Sequence, residues 1–288
     1  MPAYELLEDI VYPYMRLTSA ERKVTTRQRE EELARRLSEF FGSAVIGSAG
    51  GVTGINGDTV RRYRESRKSS GVSPATVKRE LALASKSVNF AITEWDYPVS
   101  NPFRGRLISS KDRRAQRPPE PRILTQAESA KLIDACVPWL RDIVAFALHT
   151  GLRMAEILDL SWSQLQGDLI TFAPEQQKAN RHSVCAMGAL ALEVVARQPH
   201  SEMYVFHRGG RRISRWLVRD HWNKARERAG MPDLCFKCLR STHGQRILDA
   251  GHGIEAVANQ LRHADIRTTQ RHYTKQPVDQ MRVAVRGL

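Results

Sequence analysis

Between Ser109 and Arg122 the chain reads SSKDRRAQRPPEPR, with three prolines, seven charged residues and, apart from Ala115, no apolar side chain. Proline fixes φ and removes a backbone donor, and this stretch offers no apolar face to bury, so it cannot join a packed element. It divides the chain into residues 1–108 and 122–288, with a linker over 109–121. Each part is long enough to enclose its own hydrophobic core.

Forty-five Lys and Arg against 31 Asp and Glu give a net charge of +14, and the basic residues are spread through both halves. That balance points to a polyanionic partner, and to nucleic acid ahead of an anionic membrane surface, which calls for one basic amphipathic helix beside an anchor. No run of about 18 apolar residues is available to span a bilayer. Met1 to Asp9 carries acidic residues and lacks a signal-like apolar core, so a cytoplasmic protein is expected. Cys136, Cys185, Cys235 and Cys238 form no secreted-type disulfide framework. Cys235 and Cys238 have zinc-like spacing, but no second pair follows at a finger-like distance, and they read as small core or strand residues rather than as a metal site. There is no Gly-rich loop ending in Gly-Lys-Ser or Gly-Lys-Thr and no carboxylate cluster for paired magnesium ions, so no cofactor is expected.

Arg27 to Phe41 carries Leu33, Leu37, Phe40 and Phe41 at helical spacing, and Gly42 ends it. Ala44 to Gly57 reads as a Gly-rich loop, followed by a short helix capped by Asp58 and containing Val60 and Tyr63. Ser73 and Pro74 open a longer helix with Val77, Leu81, Ala84, Val88, Ile92 and Trp95 on its apolar face. After the linker, Thr125 and Glu128 make a capping box. A helix from about Trp139 to His149 stops at Gly151. Leu169–Phe172 and Ser183–Met187 are β-rich, and helical spacing returns from Arg215. The fold class is mainly α with a small antiparallel β-sheet.

Breaking a DNA phosphodiester without a metal needs a nucleophile, cations around the phosphoryl oxygens and an acid for the leaving oxygen. The second half supplies Arg153, Lys178, Lys237, Arg240, His263 and Tyr273. Arginine suits the phosphate clamps because its planar fork donates two parallel hydrogen bonds. Arg181 competes with Lys178, but its very high pKa makes it a poor acid. His243, three residues after Arg240, reads as a packing residue.

These motifs resemble those of the tyrosine recombinases, or phage integrases. Ser73 to Pro102 looks like the helix that closes their SAM-like core-binding domain, ending in Asn101-Pro102. TGLRMAEI, with Arg153 and Glu156, is similar to the first catalytic signature, where the arginine binds the scissile phosphate and the acidic residue steadies the site. Lys237-Cys238-Leu239-Arg240 matches the second, with Lys in place of the commoner His, as in some relatives including type IB topoisomerases. Leu261-Arg262-His263 followed ten residues later by Tyr273 matches the third, with Arg262 where Gly is usual. Cys185-Ala186-Met187 stands where the family has Val-Pro-Leu, and Lys178 falls on the preceding hairpin.

The resemblance implies a core-binding domain and an α+β catalytic domain that clamp double-stranded DNA. Tyr273 would attack to form a 3′-phosphotyrosine, Lys178 would protonate the 5′ oxygen, and neither ATP nor metal would be needed. It further implies a homo-tetramer on two recombination sites, with accessory DNA-bending proteins as possible partners. The alternatives are a type IB topoisomerase-like enzyme, suggested by Lys237, and a DNA-binding regulator of the same fold without catalysis. The tail, with Val278, Met281, Val283 and Val285, is expected to dock on a neighbouring subunit or to pack on its own domain.

Overall fold

The computed structural model of the chain describes residues 6–20, 22, 24–42, 44–46, 54–109, 112, 121–174, 182–200, 203–263 and 265–273, with the backbone alone at 45, 268 and 271–273. The chain falls into two compact units, Met1–Pro118 and Pro119–Leu288. The tail residues Val278, Met281, Val283 and Val285 lie outside the described residues.

In the first unit, helices α1 (Leu7–Leu17), α2 (Val24–Phe41) and α4 (Pro74–Glu94) pack on one another, and α3 (Gly57–Ser69) packs on α4. Helix α1, to which the sequence reading gave no element, buries Leu7, Ile10, Val11, Tyr14 and Met15. That i, i+3, i+4, i+7, i+8 spacing defines one face, and it prevails over Pro13, which removes one internal hydrogen bond. Helix α2 buries Leu33, Ala34, Leu37 and Phe41. Phe40, expected on that face, is 41% exposed and makes T-shaped ring contacts with Phe41 and Tyr63. The expected loop from Ala44 to Gly57 contains a parallel pair, β1 (Val45–Ile46) with β2 (Gly54–Ile55). The cap of α3 is Asn56, not Asp58: Asn56 Oδ1 accepts from the N–H groups of Asp58 at 2.8 Å and Thr59 at 3.1 Å.

Helix α4 starts as its sequence requires, with Ser73 Oγ accepting from the Thr76 N–H and Pro74 in the first turn. Its buried face holds Val77, Leu81, Ala84 and Val88, and also Glu80, whose side chain is fully buried. Tyr63 Oη donates to that carboxylate at 2.8 Å, and Arg67 grips it through Nε at 3.1 Å and Nη2 at 2.7 Å. Burial opposes ionisation of Glu80, but the hydrogen bonds of Arg67 and Tyr63 and the charges of Arg67 and Arg36 prevail and hold its carboxyl below the ordinary range. A carboxylate with a depressed folded pKa contributes stability that is present above its unfolded pKa and lost as pH falls through the folded one. Glu80→Gln is expected to lower stability by about 3 kcal/mol at neutral pH, because two arginines then face a neutral amide. Urea titrations at pH 7 and pH 3.5 check this: the deficit should shrink at the lower pH.

The second unit is built around α6 (Pro138–Thr150), which buries Leu140, Ile143, Val144, Phe146 and Leu148. Helices α5 (Gln126–Ala135), α8 (Ala189–Ala196), α9 (Arg215–Arg228) and α10 (Lys237–Asp249) pack on it, as does the short α7 (Met154–Leu158). The capping box at the start of α5 is present, with Thr125 N–H donating to Glu128 Oε2 at 2.9 Å and Glu128 N–H to Thr125 Oγ1 at 3.1 Å. Strands β3 (Leu165–Gln166), β4 (Leu169–Phe172) and β5 (Ser183–Ala186) form the expected antiparallel sheet, in which Phe172 pairs with Ser183. A further hairpin, β6 (His207–Arg208) with β7 (Arg211–Arg212), precedes α9. Helices α11 (Ile254–Gln260) and α12 (Ile266–Tyr273) complete the unit. Among the described residues no helix is long and apolar enough to cross a membrane.

Candidate active site

The three motif segments converge on one buried guanidinium. Arg240 lies in the first turns of α10 and is 6% exposed. Its Nη1 donates to the carbonyl of Gly151 at 2.7 Å, and its Nη2 donates to the carbonyl of Leu261. Gly151 is two residues before Arg153 and Leu261 two before His263, so one side chain ties all three motifs together. The α6–α7 turn needs glycine at 151, where φ is +69°, and an added Cβ would come within 2.5 Å of Leu261 Cδ2 and 2.8 Å of His243 Cδ2.

Arg153 caps α7 and stays half-exposed, with 49% of its side chain accessible. Glu156, one turn on, accepts from the Arg153 backbone N–H at 2.8 Å and from Arg153 Nη1 at 2.8 Å. Its second oxygen also accepts from Arg262 Nη2 at 2.6 Å. Burial opposes the charge on Glu156, but Arg262 and Arg153 outweigh it and hold the carboxyl below the ordinary range. The acidic residue of the first motif thus fixes the arginine beside it and joins α7 to the loop carrying His263.

Arg262, which stands where the resemblance calls for glycine, ends α11 in a left-handed conformation, with φ +52°. Its N–H donates to Asn259 O at 3.0 Å and the His263 N–H to Ala258 O at 2.9 Å, the two bonds of a Schellman motif with Arg262 at the position that favours glycine. A left-handed non-glycine residue costs roughly 1–2 kcal/mol. The offset is the burial of its guanidinium against Glu156 and over the Phe172 ring, 4.0 Å from the centroid.

His263 is half-buried, with Nδ1 2.7 Å from the hydroxyl of Thr269, a fully buried residue of α12. Tyr273 is the last residue of α12, four positions after Thr269, and positions four apart share a helix face. Lys237 opens α10, exposed, one turn before Arg240. Lys178 and Arg181 fall in 175–181, outside the described residues; the strands on either side, β4 and β5, are anchored. Gln260 at the end of α11 pairs with the backbone of Ala186 in both directions, donating to its carbonyl at 2.9 Å and accepting from its N–H at 3.2 Å. The sequence reading passed over Gln260 and Thr269; a lone amide or hydroxyl carries no signal until its partner is placed opposite it.

His243 packs beneath the site, as expected of a packing residue. Its Nδ1 meets Leu148 O at 3.0 Å, and among the described residues Nε2 has no partner. Burial pushes its pKa down from 6.5 to about 4, and the bond to Leu148 offsets only part of this. The fold therefore favours the neutral ring, so the unfolded chain binds the extra proton and stability rises with pH between about 4 and 6.5. Wild type should lose about 2 kcal/mol from this group between pH 7 and pH 5. Urea unfolding of His243→Phe at both values should lack that part of the loss.

The sequence profile described as the phage integrase family matches residues 122–279. The integrase of Salmonella phage P22 is 31% identical over 151 residues, covering 47% of this chain and 39% of that protein. Tyrosine recombinase XerC of Bifidobacterium longum subsp. infantis is 33% identical over 158 residues, covering 49% and 44%. The chain thus spans less than half the length of these curated relatives. The structure of the Tn1549 transposon integrase in complex with a circular intermediate DNA superposes with a TM-score of 0.75 over 99% of this chain and all of that one, at 17% identity. That of a lambda integrase dimer bound to a COC′ core site gives 0.74 over 91% and 96%, also at 17% identity. These likenesses show a shared fold. The chain belongs to the phage integrase family of tyrosine recombinases.

Proposed function

We propose that the chain is a site-specific DNA recombinase that cuts and rejoins duplex DNA through a 3′-phosphotyrosine at Tyr273. The observation that carries this reading is the junction at Arg240, whose two carbonyl bonds bring the segments of Arg153, Arg240 and His263 to one place. A guanidinium has five N–H donors, enough to serve two carbonyls and a phosphoryl oxygen as well. Arg153, half-exposed and steadied by Glu156, is the second clamp. Together they offset the charge that builds on the phosphoryl oxygens as the Tyr273 oxygen attacks. The phenol proton passes to the His263 imidazole, the P–O5′ bond breaks, and Lys178 gives its proton to the departing 5′ oxygen while Lys237 adds positive charge beside the phosphate. A 5′ hydroxyl from a second strand then attacks the phosphotyrosine, restoring the phenol and a phosphodiester. The bond energy is kept throughout.

Residues 1–108 are proposed as the core-binding domain, 109–121 as linker and 122–288 as the catalytic domain. The net charge of +14 supports double-stranded DNA as partner. A homo-tetramer on paired sites, working in the cytoplasm at the nucleoid with accessory bending proteins, completes the proposal. To test it, the protein is incubated with a pool of duplexes of randomised core sequence, with EDTA and without ATP, and DNA surviving SDS on the protein is sequenced. The expected result is covalent capture enriched for one core sequence, and joining of two duplexes that carry it. No covalent capture from any pool would overturn the reading.

A further inference from the structure

Cys235 and Cys238 have no part in the DNA chemistry above, yet they flank Phe236 and Lys237 at the start of α10. Both are free thiols, and their sulfur atoms stand 2.6 Å apart. A disulfide bond is about 2.05 Å long, so the pair is roughly half an ångström from bonding distance. The Cys238 N–H donates to the Cys235 carbonyl at 2.9 Å, a closed turn that holds the two residues together. Cys235 is exposed and Cys238 buried. Cys136 and Cys185 are both buried, with their sulfurs against the carbonyls of Leu132 and Thr150. Among the described residues no group of three or more His, Cys, Asp and Glu side chains is placed to hold a metal ion.

We propose that Cys235 and Cys238 form a reversible dithiol–disulfide site that takes a low-molecular-weight disulfide, such as oxidised glutathione, as co-substrate and slows strand cleavage when closed. The Cys235 thiolate attacks one sulfur of the small disulfide, whose S–S bond breaks to release one thiol and leave a mixed disulfide on Cys235. Cys238 then attacks the Cys235 sulfur; the protein disulfide forms, and the Cys238 proton leaves on the second small thiol. Two protein thiols are oxidised and one small disulfide is reduced to two thiols. Exposure makes Cys235 the first to react, and burial, with the thiol hydrogen bond between Cys238 and Cys235, pushes Cys238 up to about 11, so it waits as the thiol.

The coupling to cleavage runs through Lys237 and rests on the proposed function. Bringing the sulfurs to bonding distance, with a Cβ–S–S–Cβ dihedral near 90°, shifts the turn that carries Lys237. A misplacement of about 1 Å can cost on the order of 10²-fold in rate, so a shift half as large is expected to slow cleavage about tenfold.

The full-length reduced protein is treated with oxidised glutathione, alkylated after unfolding, digested with trypsin and read by mass spectrometry. Cleavage after Lys237 separates the two cysteines, so the expected product is a peptide pair joined through Cys235 and Cys238, lost on treatment with dithiothreitol and absent in Cys235→Ser. Glutathione retained on Cys235 beside an alkylated Cys238, or full alkylation of both, would overturn the site. In parallel, single-turnover DNA cleavage should fall about tenfold on oxidation, recover on reduction and stay unchanged in treated Cys235→Ser. Undiminished cleavage by the closed disulfide would overturn the coupling. If the reduced protein cleaves no DNA at all, it is the recombinase reading that fails, and the mass-spectrometric result stands apart from it.

Discussion

Arg240→Ala is expected to reduce single-turnover DNA cleavage on the order of 10³-fold or more and to destabilise the catalytic unit by about 3 kcal/mol. The two effects have one origin. The guanidinium is buried and holds the carbonyls of Gly151 and Leu261, so its removal leaves both acceptors unpaired in a dry interior and frees the segments before Arg153 and His263 to separate. Arg240→Lys keeps the charge but cannot reach two carbonyls at once, since an ammonium is a single point and not a fork. It should therefore recover little of the rate. Urea unfolding measures the stability loss, and cleavage assayed where each variant is fully folded isolates the chemical part. A folded Arg240→Ala protein that cleaves within tenfold of wild type would remove Arg240 from the phosphate site.

Tyr273→Phe should lose cleavage on the order of 10⁴-fold or more, since only the hydroxyl proposed to make the covalent bond is taken away. DNA binding should persist at wild-type affinity, because binding draws on the basic charge that this change leaves untouched. His272→Ala should keep most of the cleavage, although His272 stands next to Tyr273 in the chain. Gel-shift and single-turnover assays on the same captured duplex separate binding from chemistry.

The motif segments were legible because each is local: caps, turns and side chains of fixed chemistry, the longest running thirteen residues from Leu261 to Tyr273. What joins them was not. Nothing in the sequence says that Arg240 reaches Gly151 and Leu261, 89 and 21 residues away. The Arg262 departure was visible as an oddity in the third motif, but its cause, a left-handed helix end balanced by Glu156 and Phe172, requires α7, β4 and α11 to be placed together. In the first unit, Asp58 drew the cap assignment because acidic residues favour helix starts, and Asn56, two residues earlier, holds both free N–H groups. Helix α1 escaped notice because Pro13 interrupts its pattern. Glu80 was invisible for the opposite reason: a carboxylate at a helix position looks solvated until Tyr63 and Arg67 close over it.

In the proposed reaction the DNA is joined to the oxygen of Tyr273. Captured complexes can be digested with nuclease and protease and the nucleotide-bearing peptide sequenced by mass spectrometry. The expected result is one modified peptide with the nucleotide on Tyr273, stable to acid as a phosphotyrosine is. A nucleotide on His272, lost in acid as a phosphohistidine would be, or on any other residue, would contradict it.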